Sequence, residues 1–197
     1  MGTNERKRRE QERMRRAILD ASLALFSKGG IKAVSMRSIA ERIEYSPGTI
    51  YRYFDGKSAI LRELRMGAFA IFYDRMAALE SVADPVERLK AASRDYIAFA
   101  LEHPEYYHLM FDTPDAPSLD DPDGIFPPMR SYRKFRSYVE ACMQAGCIQG
   151  ADPMVATISI WSTLHGLAGM LLAGTLRMIP EDQRLGVADK AVEFALR

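Results

Sequence analysis

Apolar residues recur at three- and four-residue intervals through most of the chain, the period of amphipathic helices packed on a core. Met14, Ile18, Ala21, Leu25 and Phe26 fall on or near one face of a first helix that stops at Gly29-Gly30. Met36, Ile39, Ala40 and Ile43 line a short second helix with Ser35 as its N-cap. Ser46 as N-cap and Pro47 at the first helical position open a third, whose inward residues are Ile50, Tyr51 in part, and Phe54. A fourth helix, roughly 57–80 and capped by Asp55, is lined by Leu61, Leu64, Ala68, Ile71, Phe72 and Met76. Asp84-Pro85-x-Glu87 combines a cap, a proline at the first position and a returning carboxylate, and starts a helix to about Leu101. His103-Pro104-Glu105 starts a short one. Residues 113–124 show no apolar period and read as a loop. Met129, Tyr132, Phe135, Val139 and Met143 face inward on a helix from about 126 to 145. Leu185, Ala188, Val192 and Leu196 mark a final helix after Pro180. The pattern predicts an all-α chain of about nine helices.

One helix departs from this amphipathic rule. From Pro153 to Leu176 there is no Lys, Arg, Asp or Glu. That length could span a bilayer. Thr157, Ser159, Ser162, Thr163 and His165 are polar for lipid, and no second span accompanies it, so we expect a buried helix of a soluble protein and no membrane partner. It carries two stripes. Met154, Ile158, Trp161, His165 and Leu172 make a large face, with Ala168 its small member. Ala156, Ser159, Ser162, Gly166, Gly169 and Ala173 make a small one. Each glycine costs the helix roughly 1 kcal/mol relative to alanine, which close approach of another helix would offset. Ser159, Ser162, Gly166, Gly169 and Ala173, with Leu185, Ala188 and Val192 of the last helix, are therefore expected at a four-helix homodimer interface.

Charge changes the picture further. The chain of 197 residues has a net charge of only +1, but residues 1–58 hold 13 Lys and Arg against 7 Asp and Glu, a local +6, and the remainder carries −5. A basic first third on a mildly acidic body points to nucleic acid as the partner of the first third alone. Seven basic residues fall within 5–16, a tail or arm able to touch phosphate. Cys142 and Cys147 are too few for a disulfide scaffold and too poorly spaced for zinc, and are expected as buried thiols. His103, His108 and His165 lack metal-ligand spacing, so no metal or cofactor is expected. No phosphate-cradling glycine loop, nucleophile elbow or dinucleotide fingerprint is present, and no enzymatic activity is expected. The charged N-terminus has no signal peptide's apolar run, which makes the cytoplasm the expected compartment.

Residues 35–54 thus read as a helix-turn-helix. The outward and leading residues of its second helix, Pro47, Gly48, Thr49, Arg52 and Tyr53, include no acid. A helix N-terminus of this kind suits a phosphate and the major groove. Phe26, Gly29, Ser35, Arg37, Ile39, Ala40, Ser46, Gly48, Thr49, Ile50, Tyr51, Tyr53, Phe54, Lys57 and Leu61 stand where the TetR (tetracycline-repressor) family of bacterial transcription regulators has its matching residues. Over roughly residues 10–65 the chain resembles the DNA-binding domain of that family. One departure is Glu44-Tyr45, where the family has Gly then Val; a left-handed Glu44 would cost on the order of 1 kcal/mol. The body resembles the class of TetR C-terminal domains marked by Trp, three residues, then His-Gly, here Trp161, His165 and Gly166.

The resemblance implies a DNA-binding head at 1–58 and a helical ligand-binding and dimerisation body at 59–197. By family correspondence Arg37 reaches a base edge or phosphate, and Pro47, Gly48 and Thr49 lead into the groove. Ser35, Ser46, Tyr51, Tyr53 and Lys57 hold phosphates. In the body, Phe99, Tyr107, Met110, Phe111, Phe135, Trp161, His165 and Met170 supply aromatic and thioether groups suited to a hydrophobic or aromatic effector. The expected protein is a repressor that binds a palindromic operator in double-stranded DNA as a homodimer and is released by that effector. The alternative is a DNA-organising or partner-binding protein that uses the same head without a ligand.

Overall fold

The computed structural model describes residues 3–112, 127–149 and 152–195, without the side chains of Thr3, Ala188, Val192 and Ala195. The expected 113–124 loop and Leu196 lie outside the described residues. Nine α-helices and no strand occur among the described residues: α1 Thr3–Ala33, α2 Met36–Arg42, α3 Pro47–Tyr51, α4 Lys57–Ala78, α5 Pro85–Glu102, α6 Pro104–Phe111, α7 Pro127–Gln144, α8 Pro153–Leu172 and α9 Arg184–Ala195. The all-α reading holds.

Local chemistry sets the ends of these helices. In α1 the helical path breaks at Gly29 and Gly30, the latter at φ 62°. Ser35 caps α2 through a reciprocal pair: its Oγ accepts from the Ser38 amide at 3.0 Å, and the Ser35 amide donates to Ser38 Oγ at 2.9 Å. Asp84 accepts from the Glu87 amide at 2.8 Å to start α5, but the Glu87 carboxylate turns to Lys90 instead of back to the cap. Gly56, not Asp55, holds the N-cap position of α4; at φ 103° that backbone favours glycine. Helix α8 stops at Leu172, earlier than its charge-free run suggests. Gly174 turns left-handed at φ 67°, and the Thr175 amide closes on the Met170 carbonyl at 3.0 Å.

Two apolar cores result. The head core packs Ile18, Phe26, Ile39 and Ile50 against Ile60, Leu61 and Leu64, the first turns of α4. Burying each large aliphatic side chain contributes roughly 1.5–3 kcal/mol. The body core gathers α4, α5, α7 and α8 around Phe72, Met76, Ile97, Phe99, Val139 and Leu164. Some inward faces are rotated from the sequence reading. Helix α7 buries Ser131, Phe135, Tyr138, Val139 and Cys142, leaving Met129, Tyr132 and Met143 half-buried. Ile71 of α4 is exposed. Cys142 is buried, whereas Cys147 is exposed, which corrects the expectation of two buried thiols.

Helix α8 is long and apolar enough to cross a membrane by length and composition, but it is neither wholly buried nor faced as expected. Its inner stripe is Ala156, Thr157, Ile160, Leu164, Ala168 and Leu171. Met154 and Ile158, on the large face of a helix expected to be buried, are exposed. A helix with no charged residue marks its outer side only weakly, because Ser159, Ser162 and Thr163 lie there beside the apolar Val155, Ile158 and Met170.

Helix α6 joins the two cores. Leu109 is fully buried within the head cluster although it lies far along the chain, and Tyr106 packs against both clusters. The buried Arg65 of α4 donates from Nε to the Leu109 carbonyl at 2.8 Å.

Candidate functional site

The turn between α2 and α3 forms because Glu44 adopts φ 62°. The Tyr45 amide then reaches back to the Ala40 carbonyl at 2.9 Å and the Glu44 amide to Glu41 at 3.3 Å, a Schellman closure with glutamate where glycine is usual. The strain expected from the sequence is thus present, and it sets the angle at which α3 leaves α2. Beyond it, Tyr45, Ser46, Pro47, Gly48, Tyr51 and Arg52 are all exposed and Thr49 is half-buried. Ser46 occupies the cap position, but its hydroxyl pairs with Thr49 Oγ1 at 3.1 Å and caps no amide. In the first turn Pro47 has no N–H and the Thr49 amide donates to the Ser46 carbonyl at 2.9 Å, so the Gly48 amide is the donor left for an external acceptor.

Three placements differ from the sequence reading. Tyr51, read as partly inward, is 58% exposed. Tyr53, read as outward, is half-buried against the head core. The Lys57 ammonium donates to the Ile31 carbonyl and so ties α4 to the end of α1. Arg37 is exposed and pairs with Glu41 at 2.9 Å, an i,i+4 contact weak enough to exchange for another anion. Ser35 holds its own helix cap. Arg15 braces the face from behind: it donates to the Tyr53 carbonyl at 2.7 Å, pairs with Glu63 and lies 4.2 Å over the Phe54 ring. Tyr45, not among the expected site residues, presents an exposed ring just before α3.

The body holds a second cluster, where α5, α6 and α8 meet. Phe111 and His165 approach edge to face at 5.0 Å, Tyr107 stacks on His165 at 5.4 Å, and Trp161 lies 6.2 Å from both Phe111 and Tyr132. Within these rings sits a polar nest. Trp161 Nε1 donates to the Tyr96 hydroxyl at 3.3 Å; Tyr96 and Tyr107 hydroxyls approach His165 Nδ1 at 3.0 and 2.8 Å. Burial pushes the Tyr96 pKa well up and that of Tyr107 up to about 12, so both stay protonated donors. Burial lowers the His165 pKa, against a smaller opposing pull from Asp112.

Of the eight residues expected at an effector, Tyr107, Phe111, Trp161 and His165 come together here. Phe99, Met110 and Phe135 are buried core beside it. Met170 is 46% exposed and belongs to the outer face of α8, because 170 falls off the inner stripe of Leu164, Ala168 and Leu171. Tyr96, Phe72 and Tyr132 were missed; their rings complete the cluster only through tertiary packing. The outer face of α8 presents Ser159, Ser162, Gly166, Gly169 and Ala173 to solvent, flanked by Val155, Ile158 and Met170. Leu185 of α9 is also exposed, and the side chains of Ala188 and Val192 lie outside the described residues. Lys90 to Glu193 at 3.0 Å and Arg94 to Asp189 hold α9 on α5. Among the described residues no group of three His, Cys, Asp or Glu could hold a metal ion.

A short helix-turn-helix with its second helix outward, carried on a separate helical body, defines the class of DNA-binding regulators. The family described as bacterial regulatory proteins, tetR family, matches residues 18–64, and the tetracyclin repressor-like C-terminal domain matches residues 89–194. The chain belongs to the TetR family of bacterial regulatory proteins. Members of this family are transcriptional regulators and not enzymes. It is 47% identical over 68 residues to the transcriptional repressor KstR of Rhodococcus jostii, a match covering 32% of each chain. The match thus spans about a third of that relative's length. Among solved structures, the TetR family regulator PfmR from Thermus thermophilus superposes with a TM-score of 0.72 at 21% identity, over 91% of this chain and 97% of that one. FadR from Bacillus subtilis, solved in complex with stearoyl-CoA, gives 0.69 at 17%, over 91% and 96%. At these identities both show the shared fold.

Proposed function

We propose that the protein is a homodimeric transcriptional repressor of the bacterial cytoplasm. It binds a palindromic operator and leaves it when a hydrophobic or aromatic small molecule enters the body. The single observation that carries the switch is α6. One side of this eight-residue helix, Tyr107 and Phe111, lies in the aromatic cluster, while Leu109 lies in the head core under Arg65. A molecule that spreads the cluster shifts a helix that the head cannot ignore. It moves the equilibrium only as far as it prefers one arrangement over the other: a 100-fold loss of operator affinity needs about 2.7 kcal/mol of preference. The FadR complex with stearoyl-CoA supports a ligand with a long apolar chain in a body of this fold.

Dimerisation follows from the outer face of α8. Val155, Ile158 and Met170 stand exposed around a floor of serine, glycine and alanine on a helix without charge. Two copies packed through this face would bury it and hold two heads about 34 Å apart, one turn of DNA.

On DNA, the exposed Tyr51 and Arg52 meet phosphate, while Pro47, Gly48, Thr49 and Arg37 face base edges. Arg52→Ala is expected to weaken all sites alike and flatten the salt dependence by about one unit, and Arg37→Ala to change preference among sites by about 1–3 kcal/mol. The test is to sequence DNA fragments selected by the purified protein, then measure their release by apolar compounds in a gel shift. A palindrome released by such a compound is expected. No enriched sequence, or an operator that no apolar compound releases, would overturn the corresponding half of the proposal.

A further inference from the structure

The polar nest of the body leaves one donor unused. Phenolic hydroxyls are better donors than a neutral imidazole N–H, and an imidazole nitrogen is a better acceptor than a phenol oxygen. With two tyrosine hydroxyls converging on Nδ1, that nitrogen is the acceptor and the ring proton sits on Nε2. The remaining groups pair off. Tyr107 gives its proton to Nδ1 at 2.8 Å, and Tyr96 takes the Trp161 N–H and bonds to the Tyr107 hydroxyl. Nε2–H has no partner among the described residues. It lies within a wall of rings that is open on one side, since Phe111, Tyr132, Trp161 and His165 are each only half-buried.

We propose that His165 Nε2–H is the polar anchor of the effector site, and that the effector is an apolar molecule carrying a neutral oxygen acceptor, such as a ketone, ester or amide carbonyl, rather than a carboxylate. This rests on the reading of the aromatic cluster as the effector site. An unpaired donor in apolar surroundings is costly to cover with hydrocarbon and favourable to cover with an acceptor. A carboxylate is the wrong acceptor. Burial holds the ring neutral, and the field of Asp112 already reaches Tyr96, Tyr107 and His165 with negative sign. A ligand cation would need a strong acceptor, and Nδ1 is taken by the Tyr107 hydroxyl.

The chain has a single tryptophan, Trp161, which lies in the cluster and reports binding by its fluorescence. Three probes share one chain and shape: 2-undecanone, decanoate and 2-methyl-1-undecene, which end in a ketone, a carboxylate and a hydrocarbon. Titrated into the intact dimer at pH 7.5, the ketone should bind at least tenfold more tightly than either of the others. His165→Phe should remove that preference, read as the ketone-to-alkene affinity ratio within each protein; His165→Gln, which restores an N–H, should recover part of it. Melting temperatures of both variants identify a folding defect, and the wild-type ranking of the three probes stands without them. Equal or tighter binding of decanoate, or a ketone preference that survives in a folded His165→Phe, would overturn the proposal while leaving an apolar effector site in place. If none of the three probes alters Trp161 fluorescence or operator binding, the effector-site reading falls with it.

Discussion

Head and body use the same building material to opposite ends. The head keeps its polar chemistry outside: Tyr51, Arg52 and Arg37 stand in solvent over a core of isoleucine, leucine and phenylalanine. The body keeps its polar chemistry inside, where Tyr96, Tyr107 and His165 bond to one another among aromatic rings. A surface of the first kind suits a large charged partner whose phosphates fix register. An interior of the second kind suits a small molecule, because a few placed polar groups in an apolar wall discriminate between ligands. Helix α6 belongs to both, and the contrast has functional meaning only if that helix transmits strain.

The largest expected effect breaks that link. Leu109→Ala removes a fully buried side chain from the head core and should cost about 3 kcal/mol of stability, within the usual 2–5 for such a deletion. If α6 couples the regions, the remaining folded protein should also lose effector-driven DNA release; chemical denaturation and a gel shift at matched folded fraction measure the two. Full release in the variant would show that α6 merely packs there.

Next in size is the exposed face of α8. A Cβ at Gly169 meets nothing within 4 Å in the single chain, so Gly169→Leu should leave the protomer folded. Between two closely packed helices the same leucine should weaken the dimer about 100-fold, or about 2.7 kcal/mol, with operator affinity falling in parallel. Sedimentation decides it, and an intact dimer at micromolar concentration would move the interface to α9.

A smaller effect sharpens the head. Glu44→Gly relieves the left-handed strain and should raise stability by about 0.5–1 kcal/mol. An unchanged thermal midpoint would mean that the Glu44 side chain offsets its own backbone cost.

The smallest probes the body's interior by acid. The folded pKa of His165 lies below its unfolded value near 6.5, so the unfolded chain binds the extra proton first. Stability contributed by the neutral ring is present above that pH and is lost as pH falls below it. The melting temperature should therefore drop on acidification below about 6.5, and drop less in His165→Gln. Equal acid sensitivity in the two proteins would place the titrating group elsewhere.

The sequence by itself determined the features whose causes lie within one or two turns of chain. Ser35, Asp84 and Asp152 cap their helices, Pro47 and Pro85 open theirs, and Gly29-Gly30 breaks α1, because each acts on its own neighbours. The DNA-binding head was legible for the same reason: a capped helix, a turn and a second N-terminus are local events. Tertiary structure decided which side of α8 faces inward, since its outer side mixes Ser159, Ser162 and Thr163 with large apolar residues and carries no charge to set the rotation. It also brought Tyr96 to His165 across 69 residues and placed Leu109 in the head core. Tyr53 and Lys57 were drawn inward by Arg15 and the Ile31 carbonyl, partners that lie 38 and 26 residues away. A pattern of period 3.6 says that a residue has an inside; only the packing of other helices against it says what that inside contains.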